Sequence, residues 1–197
     1  MSSFRSEPFL WIHLAGIAAF PLLLQIAWLG LAVGEPLPGY WLEVIFLWIV
    51  AIAPIAWMQW QKPFDIFSLL FVALKPDLLT LEQLRILSLF KSQKHRVITV
   101  IGSLIMTVSI WLPYKLAPIA TPAAAFLPQW RIIGLLIAGI AFLVSHLFLQ
   151  VPLSVLGVLF TSHEQWEKTE PIAVSNIAQS FTLLGFRVRK ILPTLVS

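Results

Sequence analysis

Cysteine is absent from the 197 residues, and charge is scarce: 13 Lys and Arg and 9 Asp and Glu make up only 11% of the chain. The first absence removes disulfides, thiolate metal sites and cysteine nucleophiles. The second excludes more. A soluble domain is about 25% charged and about 45–50% apolar, whereas this chain is 59% hydrophobic with a mean hydropathy of +0.90. So little charge cannot cover a water-facing surface, which argues against a soluble enzyme, a nucleic-acid-binding domain or a disordered chain. Catalytic signatures are missing too. The sequence holds no Gly-rich phosphate loop, no Gly-x-Ser-x-Gly elbow, no His-Glu-x-x-His pair and no Glu-x-x-His metal spacing. No acid falls at the centre of a long apolar run, where a proton relay would want one, and two halves do not repeat as in many transporters. The chain therefore reads as a non-enzyme.

What is present is a set of long apolar runs. A helix needs about 20 mostly apolar residues to cross a hydrocarbon core of about 30 Å. Phe9 to Val33 carries no charge, and Ser6-Glu7-Pro8 ahead of it supplies a hydroxyl cap and a proline where no amide hydrogen is needed. Pro21 should kink this run, and Gly34-Glu35-Pro36-Leu37-Pro38-Gly39 breaks it. The second run, Tyr40 to Trp60, has Glu43 near its start and Pro54 as a bend. The third, Val97 to Leu116, exits at Pro113 and Tyr114, and Ala117 to Pro128 reads as a linker. The fourth begins at Trp130 and stays apolar to Phe160. Its crossing is expected to end near Gln150, with Pro152 turning residues 152–160 along the interface; a single long tilted helix is the alternative.

The intervening and final segments differ in character. Ile66 to Leu74 is too short to span and, between Pro63 and Pro76, is expected to dip into one leaflet or lie flat. Thr80-Leu81-Glu82-Gln83 has capping-box spacing. The helix it opens carries Leu81, Leu84, Leu87 and Ser88 on one side and is closed by Lys91, Lys94, His95 and Arg96, which suits a helix C-terminus. Residues 64–96 thus read as an interfacial amphipathic segment. Phe181 to Leu192 alternates around Gly185 and predicts a short extended segment or hairpin. The expected fold is an all-α integral membrane protein: a membrane domain over 1–162 with four transmembrane helices (about 9–33, 40–60, 97–116 and 130–150), interfacial stretches at 64–96 and 152–160, and a short cytoplasmic tail, 163–197.

Four crossings place both termini on one side, and the basic residues say which. Only Lys115 and Arg131 fall on the far side; the other 11 of the 13 fall with the termini. Lys and Arg are retained in the cytoplasm, so both termini are expected to be cytoplasmic. Trp28, Trp41, Trp111 and Trp130 then fall at the outer interface and Trp11, Trp57 and Trp60 at the inner one.

The polar residues left within the runs are few. His13 and His146 lie at matching predicted depths, about 6 Å inside the same face. Two such imidazoles could bind a haem iron axially, each could ligate the magnesium of a chlorophyll, or each could simply bond to a backbone carbonyl or headgroup. Gln25, Gln59, Gln150, Ser103, Ser109 and Ser145 read as hydrogen-bond glue between helices. Gly134 and Gly139, with Ala138 and Ala141, form a small-residue face for a helix of this chain or of a partner. Lys91, Lys94, Arg96, Arg187, Arg189 and Lys190 are candidate contacts for anionic lipid or a partner's cytoplasmic face. The basic balance does not point to nucleic acid.

Ser6-Glu7-Pro8-Phe9-Leu10-Trp11-Ile12-His13-Leu14-Ala15-Gly16, together with Trp57-Met58-Gln59-Trp60, Ile86-Leu87-Ser88-Leu89-Phe90-Lys91, Phe126-Leu127-Pro128-Gln129-Trp130-Arg131 and Phe148-Leu149-Gln150-Val151-Pro152, resembles the cyanobacterial low-complexity tail membrane proteins. The resemblance runs through nearly the whole chain and implies a membrane protein of a thylakoid, with no catalytic residues to carry over. The biased extension that gives the family its name does not follow here by Ser197. On these grounds the expected role is an accessory or assembly subunit docking on subunits of a photosynthetic membrane complex such as a photosystem. No cofactor is required in that role, although chlorophyll, carotenoid or haem could be carried. A stand-alone transporter or lipid-handling protein is the rival.

Overall fold

Four helices of this computed structural model are long and apolar enough to cross a bilayer: α1 Pro8–Leu31, α2 Tyr40–Gln61, α4 Gln93–Ala124 and α5 Arg131–Leu159. Between α2 and α4 stands the short α3, Leu81–Leu89, and after α5 come α6, His163–Lys168, and α7, Val174–Ser180. The structure describes residues 4–69, 71–183 and 185–192; Leu70 of the expected 66–74 segment and 193–197 of the tail lie outside them. The chain is a mostly helical membrane protein.

Proline shapes two of the spans by a change of winding. Pro21 cannot donate to the carbonyl one turn back, and the chain tightens to a 3-10 turn at Gly16–Ala18 just before it. Ahead of Pro54 the winding instead loosens to a π turn at Trp48–Ile52. Two boundaries differ from expectation. α4 continues through Pro113, Pro118 and Pro122 to Ala124, so most of the expected 117–128 linker is helix. α5 does not break at Pro152; it runs on to Leu159 with Val155 and Val158 buried, the single long helix that was the alternative expectation. In both places packing against neighbouring elements outweighs the backbone bonds that the prolines remove.

α5 is the central helix, packed on α1, α2 and α4. Its approach to α1 is close because both sides lack side chains there. A Cβ on Gly134 would stand 2.5 Å from the Gly30 carbonyl oxygen, and one on Gly30 2.7 Å from the Ala138 nitrogen. Gly139 faces Phe46, Leu47 and Val50 of α2. Both glycines expected as partner contacts are therefore buried within the chain.

At one end the bundle carries a cap. Its strands, β1 Ser68–Leu69 and β2 Val72–Leu74, form an antiparallel pair, and β3, Phe186–Val188, adds to β2 in parallel with Val72 opposite Phe186 and Leu74 opposite Val188. The all-α expectation thus missed a small sheet. The reason lies in non-local pairing: β3 is contributed by the tail, more than a hundred residues beyond β2. Gly185 permits the junction with a φ of +90°, and a Cβ there would overlap the Phe71 carbonyl oxygen at 1.7 Å.

Thr80 caps α3 as its spacing predicts: its hydroxyl accepts from the Gln83 amide and the Gln83 side chain accepts from the Thr80 amide. The helix ends at Leu89, however, and Ser92 opens α4 by accepting from the His95 amide. Lys94, His95 and Arg96 therefore sit in a helix's first turn, not its last. Leu84, Ile86, Leu87 and Leu89 of α3 are buried in one cluster with Phe4, Phe9, Phe67, Val158, Trp166 and Phe181, while Leu81 is exposed. The segment ahead of α4, residues 64–92, is hence a folded part of the cap, closed by the tail and by Phe4, whose ring stacks on Trp166 at 4.2 Å.

Candidate functional site

The most developed polar centre lies at the end away from the cap, where two sharp turns meet. Gly34, at φ +66°, turns the chain out of α1, and its amide donates to Gln129 Oε1 at 3.3 Å. Gln129 in turn donates to the carbonyls of Ala124 and Leu127. Glu43 falls in the first turn of α2, where the helix dipole favours a carboxylate, and it is 1% exposed. Its Oε1 accepts from Leu37 N at 2.8 Å and Arg131 Nε at 2.7 Å; its Oε2 accepts from Tyr114 OH at 2.7 Å and from Arg131 Nη2.

Arg131 opens α5, an unfavourable place for a cation by its own helix dipole. Tertiary contacts reverse that. Besides the carboxylate, its Nη1 donates to the carbonyls of Leu31 at 2.7 Å and Val33 at 3.0 Å, at the C-terminus of α1. The fork thereby ties the ends of α1, α2 and α5, and Tyr114 adds α4. Sequence reasoning had placed Arg131 among the far-side charges only. The signal it could have used is two opposite charges at the same predicted end of two helices.

Beside this network, with its Tyr114 and Arg131 in the wall, opens a cleft of about 910 Å³, lined chiefly by apolar surface that includes Tyr40, Trp111, Lys115 and Pro118. Its size suits a ligand or an inserted side-chain cluster. Every lone pair in reach of the carboxylate is engaged, so the polar network positions the walls while the apolar rings offer the contact surface.

A second set of polar groups lies within the bundle toward the cap. His146 is fully buried; its Nδ1 bonds the Ala51 carbonyl at 3.2 Å, beside the π turn of α2, and its Nε2 has no partner. Gln59, Ser145 and Gln150 are also buried with side-chain atoms unpartnered, and Gln150 reaches toward Gly102 of α4. Ser103 and Ser109 bond carbonyls of their own helix one turn back, and Gln25 is exposed. Among the described residues, none of these six side chains makes a hydrogen bond between helices.

His13 is not brought to His146. Its Nδ1 bonds its own helix at Phe9 O, 2.8 Å away, and its ring lies 5.9 Å from that of Phe64 in the cap. α1 and α5 run antiparallel and meet at Gly16 and Phe148. His13 is three residues to the cap side of that level and His146 two to the other, about 7.5 Å apart along the axis. The equal depth inferred from sequence does not hold, and the enclosure of His146 leaves no opening for a macrocycle. The pair does not sit at one level, as the two axial ligands of a haem would.

Several basic residues serve the cap itself. Lys94 Nζ donates to the carbonyls of Gly157 at 2.8 Å and Phe160 at 3.3 Å, and Arg5 donates to those of Leu159 and Thr161, so both close the C-terminus of α5. Arg187 and Arg189, and Lys190 beside them, are exposed along the tail. Lys91 and Arg96 lie near Trp60 at the foot of α2. Among the described residues no group of three or more His, Asp and Glu could hold a metal ion.

A family model described as low-complexity tail membrane protein-like matches residues 6–193. No curated protein and no solved structure matches the chain.

Proposed function

The chain belongs to the low-complexity tail membrane protein-like family, and from that membership we propose that it is a non-enzymatic accessory or assembly subunit that docks within the bilayer on a larger membrane complex. The complex is photosynthetic in this reading, and the membrane a thylakoid, on the strength of the resemblance to cyanobacterial proteins. Both termini and the cap face the cytoplasm, following the distribution of Lys and Arg.

The observation that carries the reading is the cleft walled by Tyr114 and Arg131, which Glu43 holds from behind. It is preformed, apolar and held by helices whose ends are locked together, which is what a rigid receptor for a partner's aromatic or aliphatic side chains requires. A photo-crosslinking residue placed at Tyr40 or Trp111 in intact membranes is expected to capture a membrane subunit, identified by mass spectrometry. Crosslinks confined to lipid would sink the docking reading and favour the lipid-handling one, which the size and apolar lining of the same cleft also support.

A further inference from the structure

Lys62, Lys91 and Arg96 gather where α2 ends and α4 begins, and among the described residues no carboxylate stands within ion-pair distance of any of them. Burial, and then repulsion from Arg96 and Lys62, holds the Lys91 ammonium below the usual lysine range. The helix adds to the imbalance. α4 has no acid in its first turn, so the positive end of a 32-residue helix meets cations instead of the anion that such an end favours. Left alone, the arrangement is self-repelling.

Beside Lys91 and Arg96 is a cavity of about 100 Å³ whose lining also includes Trp60, Gln61, Phe90 and His95. Lys91 Nζ donates to the Gln61 carbonyl at 3.0 Å, which uses one of its three N–H groups. The Arg96 guanidinium lies 5.6 Å over the Trp60 ring. Trp57 and Trp60 are both exposed on the last turns of α2, the level at which indoles collect at a membrane–water boundary. A guanidinium and an ammonium line a hole sized for one tetrahedral anion, close to the start of α4 and at headgroup height.

We propose that this pocket binds the phosphate of an anionic lipid headgroup. Arg96 supplies the planar fork, Lys91 the point charge, and Trp60 packs on the glycerol side of the lipid. The site needs only the membrane, so it stands or falls apart from docking at the distant cleft.

The full chain in phosphatidylcholine nanodiscs, titrated with chain-brominated phosphatidylglycerol, tests it through tryptophan quenching in excess of that from brominated phosphatidylcholine. The expected result is saturable excess quenching, weakened by about tenfold or more in K91Q/R96Q, since each charge-assisted bond is worth a tenfold change or more. W60F should lower the amplitude and keep the midpoint, and K168Q, which breaks only the exposed pair with Glu164, should change neither. Full preference for the anionic lipid in a folded K91Q/R96Q protein would overturn the site. So would displacement by submillimolar inorganic phosphate, which would assign the pocket to soluble phosphate. Should the double variant fail to fold, undiminished amplitude in W60F would count against the site equally.

Discussion

Replacing Arg131 by Met tests whether the ends of the helices away from the cap are held by one ion pair. Met keeps much of the buried stem but removes four donated hydrogen bonds: two to Glu43 and one each to the carbonyls of Leu31 and Val33. Glu43 is left 1% exposed with only Tyr114 and Leu37 N as partners. Breaking one side of a buried pair costs about 3–5 kcal/mol, because the remaining charge is stranded away from water. For a chain of this size each kcal/mol moves the thermal midpoint by about 2–4 °C, so R131M should lose on the order of 10 °C. The assay is thermal unfolding in detergent, followed by far-UV circular dichroism. Adding E43Q is the sharper half of the experiment. With no charge left to strand, R131M/E43Q should be more stable than R131M by about 1–2 kcal/mol, and the two substitutions should be strongly non-additive. A shift under about 2 °C in R131M, or additivity in the double variant, would refute the view that this pair organises the cleft.

Three further outcomes follow from particular residues. Asp65 lies outside the spans, nearly buried, and burial pushes its carboxyl up to about 6 despite the Phe67 amide bond and Arg187. A raised acid binds its proton more tightly in the folded state, so stability should fall as pH rises from about 4 to about 6 and then level off. D65N keeps an acceptor for Phe67 N, and it should flatten that pH window and stabilise the protein at pH 8 by a few kcal/mol at most, measured by denaturant or thermal unfolding. Gly134→Val places a branched side chain where even a Cβ meets the Gly30 carbonyl at 2.5 Å, and since backbone cannot yield, a loss of about 3 kcal/mol or more is expected in the same melts. Gly185→Ala should unpair β3 from β2 while leaving the four spans intact, seen as fast amide exchange confined to 71–74 and 186–188; unchanged protection there would contradict the steric argument.

The four spans, the Thr80 capping box and the prolines that alter α1 and α2 were legible because each depends on residues close together in the chain. Hydropathy summed over about 20 residues, or a hydroxyl three positions before a glutamine, needs no knowledge of the partner. The missed features share the opposite property. Pro152 looked like a stop, but the cap residues packed against Val155 and Val158 keep α5 going. Lys94 looked like a C-terminal charge of α3, yet it reaches across to close α5. Ile66–Leu74 reads as a segment that dips into a leaflet or lies flat, yet it holds two paired strands, and the third strand beside them comes from the tail.

The sequence by itself determined that this chain lives in a bilayer, how often it can cross, and where its scarce charge must go. Only the tertiary structure decided that Glu43 and Arg131 are one pair, that His13 and His146 are not, and that Lys91 and Arg96 share an empty-sided pocket with Trp60. The physical reason is that apolar transfer adds up residue by residue along a helix, whereas a hydrogen bond or ion pair acts over about 3 Å between groups set beside each other only by how the helices pack.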